Sequence, residues 1–163
     1  MKLLLLAHLI FTFLSPKIVI ADQQSSVDDI SIQISDELKP LLDLLKGKGF
    51  NLKFEIPPRK GVYGLFQSKS KTLWISPISF ELGIGRQTIL HEATHAAQSC
   101  PYGSLTPIGL DLTISPFIRN EIQAILFKNY DSKQYILEKE AFSLQGKKNG
   151  VDLLMKALDQ RCK

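Results

Sequence analysis

The stretch His91-Glu92-Ala93-Thr94-His95 decides how this chain is interpreted. On an α-helix, positions four apart lie on one face and about 6 Å apart along the axis, so both imidazoles can reach one ion. Glu92 lies beside that face, where it is poorly directed to be a further ligand but can accept a proton from water. The spacing therefore predicts a zinc site with His91 and His95 as ligands and Glu92 as the general base.

The scarcity of histidine strengthens the interpretation of this motif. The chain has three histidines, and the third, His8, lies in a segment that we expect to be cleaved. Every histidine of the mature chain then belongs to the motif. The structural alternative is a pair of helical histidines that are satisfied by hydrogen bonds or face water.

Residues 1–21 have the pattern of a secretory signal peptide. Lys2 gives the positive start, Leu3 to Leu14 form an apolar run, and cleavage is expected after Ala21. The run ends at Ser15-Pro16 and is shorter than the ~20 apolar residues that span a bilayer. We therefore expect an exported protein, periplasmic or extracellular, with no stable membrane span after cleavage. Residues 22–163 suit a single domain.

Charge argues against a nucleic-acid partner. The formal charge is +4, and removal of Lys2 and Lys17 with the leader reduces it to +2. A net charge so close to zero does not support a strongly basic face for nucleic acid. The expected partner is instead a peptide or protein substrate, and the sequence leaves the oligomeric state open.

The two cysteines, Cys100 and Cys162, are expected to form a disulfide, because exported chains meet oxidising surroundings. The alternative is a thiolate metal ligand or nucleophile. It is weaker because the paired histidines make a sulfur ligand unnecessary, and no further histidine is available to activate a thiol.

The middle of the chain supplies a scaffold for the motif. The last two of three strand candidates are separated by a short polar segment and predict a hairpin. The predicted fold class is α+β, with a small antiparallel sheet packed on the motif helix and a mainly helical C-terminal half. The strand candidates are Leu52–Ile56, Val62–Gln67 and Thr72–Ser76; the helices are about Asp36–Lys46, Arg86–Ser99, Pro116–Asn129 and Val151–Arg161, with one more from Asp131 or Ser132; Pro77–Gly85 is expected to be a loop.

A hairpin, a tight loop and a helix that carries Thr88 to Gln98 resemble the core of the zincin metallopeptidases. The resemblance extends from about Val62 to Gln145 and is specific only at the level of the superfamily. It implies a zinc ion, a third protein ligand, an open position for water, and hydrolysis of peptide bonds. It also implies that the sheet edge can hold a substrate as an added strand, although simple structural pairing explains a hairpin equally well.

The third zinc ligand distinguishes the subclasses of the zincins. No histidine follows His95, which argues against the metzincin pattern. Glutamate zincins, which include thermolysin-like and membrane prenyl-protein peptidases, place a ligand glutamate on a second helix with a small residue three positions later. Glu138 with Ala141 resembles this pattern, and Glu140 with Ser143 fits it nearly as well.

Periodicity alone favours the other glutamate. Glu140 lies inside an apolar arc, where a carboxylate needs a partner such as a metal, whereas Glu138 lies at its margin. The resemblance favours Glu138, Glu140 is the close alternative, and Asp111 is a third candidate. The glutamate that zinc does not use could orient a histidine or face solvent. The arc consists of Ile136, Leu137, Ala141 and Leu144.

The expected function is that of an exported zinc metallopeptidase. Arg119, Tyr130 and Tyr135 are candidates to stabilise the oxyanion, and the sequence does not choose among them. The alternative is a non-catalytic, zinc-binding secreted interaction domain that retains the zincin fold. Glu92 favours the enzyme, because metal binding alone does not require it.

Overall fold

The computed structural model describes residues 34–110 and 132–163, together with positions 116, 119, 120, 122 and 123. This part of the chain is α+β, as expected. The predicted signal peptide, Asp111, Tyr130 and most of the helix predicted from Pro116 to Asn129 lie outside the described residues. The elements are α1 (Lys39–Gly47, after a 3-10 turn at Asp36–Leu38), β1 (Asn51–Lys53), β2 (Gly64–Gln67), β3 (Thr72–Ile75), α2 (Pro77–Glu81), α3 (Gly85–Gln98), α4 (Ser132–Gln145) and α5 (Gly150–Arg161).

The three strands form a mixed sheet in the order β1-β3-β2. The predicted hairpin is confirmed, because β2 and β3 pair antiparallel with Leu65 opposite Trp74. The expectation of an antiparallel sheet is wrong for β1, which pairs parallel with β3. The reason lies in burial: β3 is the most buried of the three strands, with Leu73 and Ile75 in the core, and it takes the central position.

A short helix replaces the loop predicted between the sheet and the motif helix. Pro77 stands in the first turn of α2, where a missing N–H costs nothing, and the Ser79 hydroxyl donates to the Ser76 carbonyl. Gly83 then adopts φ +70°, which turns the chain into α3. The sequence pattern failed here because five residues are too few to show a helical period.

Helix α3 is the centre of the molecule. It packs against β2 and β3 and against α4 and α5. Three alanines, Ala93, Ala96 and Ala97, are fully buried on it and let its neighbours approach closely. The core around it also contains Leu41 and Leu45 of α1, Leu144 of α4, and Leu154 and Leu158 of α5.

The C-terminal end of α5 is fastened to the end of α3. Cys100 and Cys162 form the expected disulfide, with their Cα atoms 5.1 Å apart. The Arg161 guanidinium donates to the carbonyls of Ala97 and Cys100 at 3.0 Å and to the Thr106 hydroxyl at 2.7 Å. Among the described residues, no helix has the length and apolar character needed to cross a membrane.

Candidate metal centre

Helices α3 and α4 bring two imidazoles and a carboxylate together at one point. The Nε2 atoms of His91 and His95 are 3.2 Å apart. Glu138 of α4 places its two oxygens 3.3 Å from His91 Nε2 and 3.6 Å from His95 Nε2. The three groups offer ligand atoms that all lie within 4.8 Å of one another and could hold a metal ion.

These separations suit a small tetrahedral ion. Zinc bonds of about 2.0–2.1 Å at tetrahedral angles place neighbouring ligand atoms about 3.3 Å apart. The 3.2 Å between the two Nε2 atoms lies close to that value, and the two Glu138 oxygens lie 3.3 Å from His91 Nε2 and 3.6 Å from His95 Nε2, one oxygen beside each ring. Two nitrogens and one oxygen are three ligands, so an ion of tetrahedral geometry would keep one position open.

The hydrogen bonds of His95 determine which ring nitrogen is free. Gln98 donates its amide N–H₂ to the Leu137 carbonyl at 3.0 Å and to Glu140 Oε2 at 2.9 Å. Because both partners are acceptors, Gln98 Oε1 must face His95 Nδ1, 2.8 Å away. In the neutral ring that nitrogen therefore carries the proton, and the lone pair of Nε2 is left to point at the candidate metal position.

His91 is oriented in a similar way from the other side. Its Nδ1 lies 3.0 Å from Gln145 Oε1, at the end of α4. The Phe142 ring packs edge-on against the imidazole, with the two ring centroids 4.8 Å apart. With Nδ1 bound to an acceptor, Nε2 of His91 also directs its lone pair toward Glu138. The lone pairs of His91 Nε2 and His95 Nε2 therefore point to the same place as the Glu138 carboxylate. A cation at that place would compensate their negative charge.

The pKa shifts of His95 and Glu138 agree with a positive charge at this place. Burial alone would lower the pKa of His95, but the hydrogen bond and charge of Glu138 raise it to about 9. Burial opposes ionisation of Glu138, yet the hydrogen bonds and charges of His91 and His95 hold its pKa well below the usual range. When no metal is bound, a proton on His95 supplies the positive charge that the carboxylate demands.

Glu92 is buried beside the candidate ligands and is not one of the three groups that converge. Burial raises the pKa of its carboxyl, although the neighbouring imidazoles of His91 and His95 lower it. The backbone N–H of Phe66 in β2 faces this carboxyl and also lowers its pKa. Its side chain lies directly against Gly64, where an added Cβ would collide with it. The motif helix and the edge strand thus hold Glu92 between them.

The four polar groups open into a cleft of about 560 Å³ between the hairpin, α3 and α4. Its walls are mostly apolar, and Arg59 is the cationic side chain among the described residues that line it, apart from the histidines. The amide oxygen of Gln87, one turn before His91, is buried with no hydrogen-bond partner in the described part of the chain. The other lining residues include Val62, Tyr63, Leu65, Ile84, Leu105 and Phe142.

Glu140 has a different environment from Glu138. It is 4 % exposed and accepts hydrogen bonds from Gln98 and from the backbone N–H groups of Ile108, Gly109 and Leu110. The carboxylate inside the apolar arc therefore has peptide groups as its partners. Its hydrogen bond to Gln98, which holds His95, resembles the supporting role considered for the glutamate that does not bind metal.

The remaining candidates lie away from the cleft or outside the described residues. Tyr135 of α4 is half-buried and Arg119 is exposed, and neither lines the cleft. Asp111 and Tyr130 are not among the described residues. Sequence reasoning missed Gln98, although its position three residues after His95 on the same helix face could have indicated it. It also missed Gly64, for which spacing along the chain gives no signal.

Comparisons with protein-family models, with curated proteins and with solved structures find no match for this chain.

Proposed function

We propose that this protein is an exported, zinc-dependent metallopeptidase of the glutamate-zincin type. His91, His95 and Glu138 would hold the ion, and their separations and lone-pair directions fit zinc. Zinc supplies Lewis acidity, which polarises a substrate carbonyl and lowers the pKa of water. The disulfide agrees with residence in an oxidising compartment.

The observation that carries this proposal is the position of Glu92. A buried carboxylate with a raised pKa, beside three convergent ligands in a cleft, is suited to take a proton from water and return it to a leaving amine. Metal binding does not require this residue. Burying a carboxylate is costly, so its presence favours catalysis over simple metal storage.

The edge strand β2 supports a peptide as the substrate. Ser76 N–H donates to the Tyr63 carbonyl, so the alternation of an antiparallel pair turns the N–H and carbonyl of Gly64 and the carbonyl of Phe66 away from β3, while the Phe66 N–H faces Glu92. This edge lines the cleft beside Glu92. An extended peptide could therefore add to the sheet with its backbone beside the candidate metal position.

The test is the substitution Glu92→Gln, with Glu81→Gln on the exposed surface of α2 as a matched control. Zinc content, measured by mass spectrometry of the metal, should stay at one ion per chain in both variants. Cleavage of a mixed peptide library should disappear in Glu92→Gln and persist in Glu81→Gln, because only Glu92 lies at the reacting atoms.

Two results would contradict the proposal. Full activity of Glu92→Gln would remove Glu92 from the mechanism. Stoichiometric zinc uptake by the wild-type chain without cleavage of any library peptide would favour the non-catalytic zinc-binding domain.

A further inference from the structure

We infer that Gln98 and Glu140 are positioning residues that join the metal ligand His95 to the segment 105–110, in which Leu105 lines the cleft. The inference deepens the proposed function and rests on the binding of a metal by His95. It concerns residues that touch neither the candidate metal position nor the cleft, and it assigns them a shared role.

The first step is the saturation of the Glu140 carboxylate. Oε2 accepts from Gln98 Nε2 at 2.9 Å and from Ile108 N–H at 2.8 Å. Oε1 accepts from Gly109 N–H at 2.8 Å and from Leu110 N–H at 3.3 Å. A carboxylate is the one side-chain group that can receive four donors at once in this way, because it has no donor of its own.

The second step is the effect of Glu140 on Gln98. The carboxylate and the Leu137 carbonyl, both acceptors, compel the amide of Gln98 to present N–H₂ to them. The amide oxygen of Gln98 is thereby aimed at His95 Nδ1. Glu140 thus acts on His95 through Gln98, and it fixes both the ring orientation and the tautomer that leaves Nε2 free.

The third step links the same residues to the cleft wall. The backbone carbonyl of Gln98 accepts from Thr106 N–H at 2.9 Å, and Leu105 beside it lines the cleft. Arg161 holds this segment from the opposite side through the carbonyls of Thr106 and Pro107. Gln98 and Glu140 therefore hold both His95 and the segment 105–110. The two should shift together when either Gln98 or Glu140 is changed.

The test compares zinc affinity in the full mature chain of Gln98→Leu, Glu140→Gln and the double variant. Each single change should weaken zinc binding by about 10- to 100-fold, the usual effect of removing a group that supports a metal ligand. Gln160→Leu on the exposed face of α5 is the matched control and should bind zinc as the wild type does. Because Glu140 acts through Gln98, the double variant should match Gln98→Leu within about twofold.

A spectroscopic measurement separates positioning from simple support of the fold. The visible absorption of the cobalt(II)-substituted protein should change in both single variants, because the ligand geometry changes. In wild-type protein, NMR should show a slowly exchanging proton on His95 Nδ1, and this signal should be lost in Gln98→Leu. The latter measurement decides the matter even if Glu140→Gln fails to fold.

Unchanged zinc affinity and an unchanged cobalt spectrum in Gln98→Leu would overturn the inference, as would the absence of a proton on His95 Nδ1 in the zinc-bound wild-type chain. Fully additive losses in the double variant would remove the connection through Gln98. A wild-type chain that binds no zinc would overturn both this inference and the proposed function. Zinc binding without peptide cleavage would defeat only the peptidase proposal.

Discussion

The charge of His95 is subject to two opposite effects. It is 8 % exposed, which disfavours a charge, yet it faces Glu138, which favours one. The carboxylate prevails, and the pKa of His95 rises to about 9. A proton therefore occupies the nitrogen that a metal needs, and the metal must displace it.

Zinc uptake should consequently depend on pH. At pH 7 His95 is protonated in the metal-free protein, because its pKa is about 9, so binding should release about one proton from this residue. The apparent affinity should rise as pH increases from 6.5 toward 9, by about tenfold per unit, and level off above the pKa. Calorimetry in two buffers with different ionisation enthalpies measures the released protons. An affinity that is independent of pH across this range would show that His95 is neutral in the metal-free protein.

The choice between Glu138 and Glu140 shows what a sequence can resolve at this scale. The helical period located both residues and marked Glu140 as the one inside the apolar arc. The argument that a buried carboxylate needs a partner was sound, but peptide N–H groups at 108–110 supply that partner. These groups lie about 30 residues away along the chain, so no local pattern could reveal them.

At the scale of elements, the close contact between β2 and α3 positions the catalytic candidate. Gly64 faces Glu92 and Thr88 so closely that an added Cβ would lie 2.8 Å from the Glu92 Cγ and from the Thr88 methyl. No side chain larger than hydrogen fits unless the strand or the glutamate moves. The absence of a side chain at this one position therefore determines the place of the carboxylate.

Gly64→Ala should therefore reduce catalysis while zinc is retained. The displaced Glu92 should lower kcat/KM for a cleaved library peptide by about 100-fold, the scale of a 1 Å misplacement. The candidate zinc ligands belong to α3 and α4, so the zinc content should stay at one ion per chain. Gly47→Ala in α1, where nothing lies within 4 Å of the added Cβ, is the control. Unchanged activity of Gly64→Ala would mean that the site tolerates a shifted Glu92.

Local signals located the elements but not their arrangement. Alternation and turn residues located all three strands to within a few residues, and the motif helix was expected one residue later than it occurs, at Gly85–Gln98. The parallel pairing of β1 with β3 was missed because strand order follows from burial of β3 in the whole core. The short helix Pro77–Glu81 was missed because it has less than two turns of pattern.

At the scale of the molecule, the disulfide closes a loop of 62 residues that contains α4 and α5. A cross-link over such a loop restricts the unfolded chain and stabilises the fold by about 4 kcal/mol. The sequence predicted this bond from compartment and cysteine count alone. It could not predict that Arg161, next to Cys162, binds the same end of α3.

The double variant Cys100→Ser, Cys162→Ser should lower the free energy of unfolding by about 4 kcal/mol. Urea denaturation followed by circular dichroism measures the change, and reduction of the wild-type chain should reproduce it. The folded fraction should keep its zinc, because neither cysteine lies among the candidate ligands. A loss below about 1 kcal/mol would indicate that Arg161 and the helix packing already hold this end of the molecule.

The attachment of α5 to α3 also determines when, during synthesis, the candidate site can be completed. A polypeptide emerges from the ribosome, or from an export channel, amino end first. His91 and His95 therefore emerge before Arg161 and Cys162. Arg161 binds the Ala97 carbonyl of their helix, and Cys162 is bonded to Cys100 just after it. During that interval the nascent chain carries the motif without these contacts, and the candidate metal site gains its full support only when α5 has emerged.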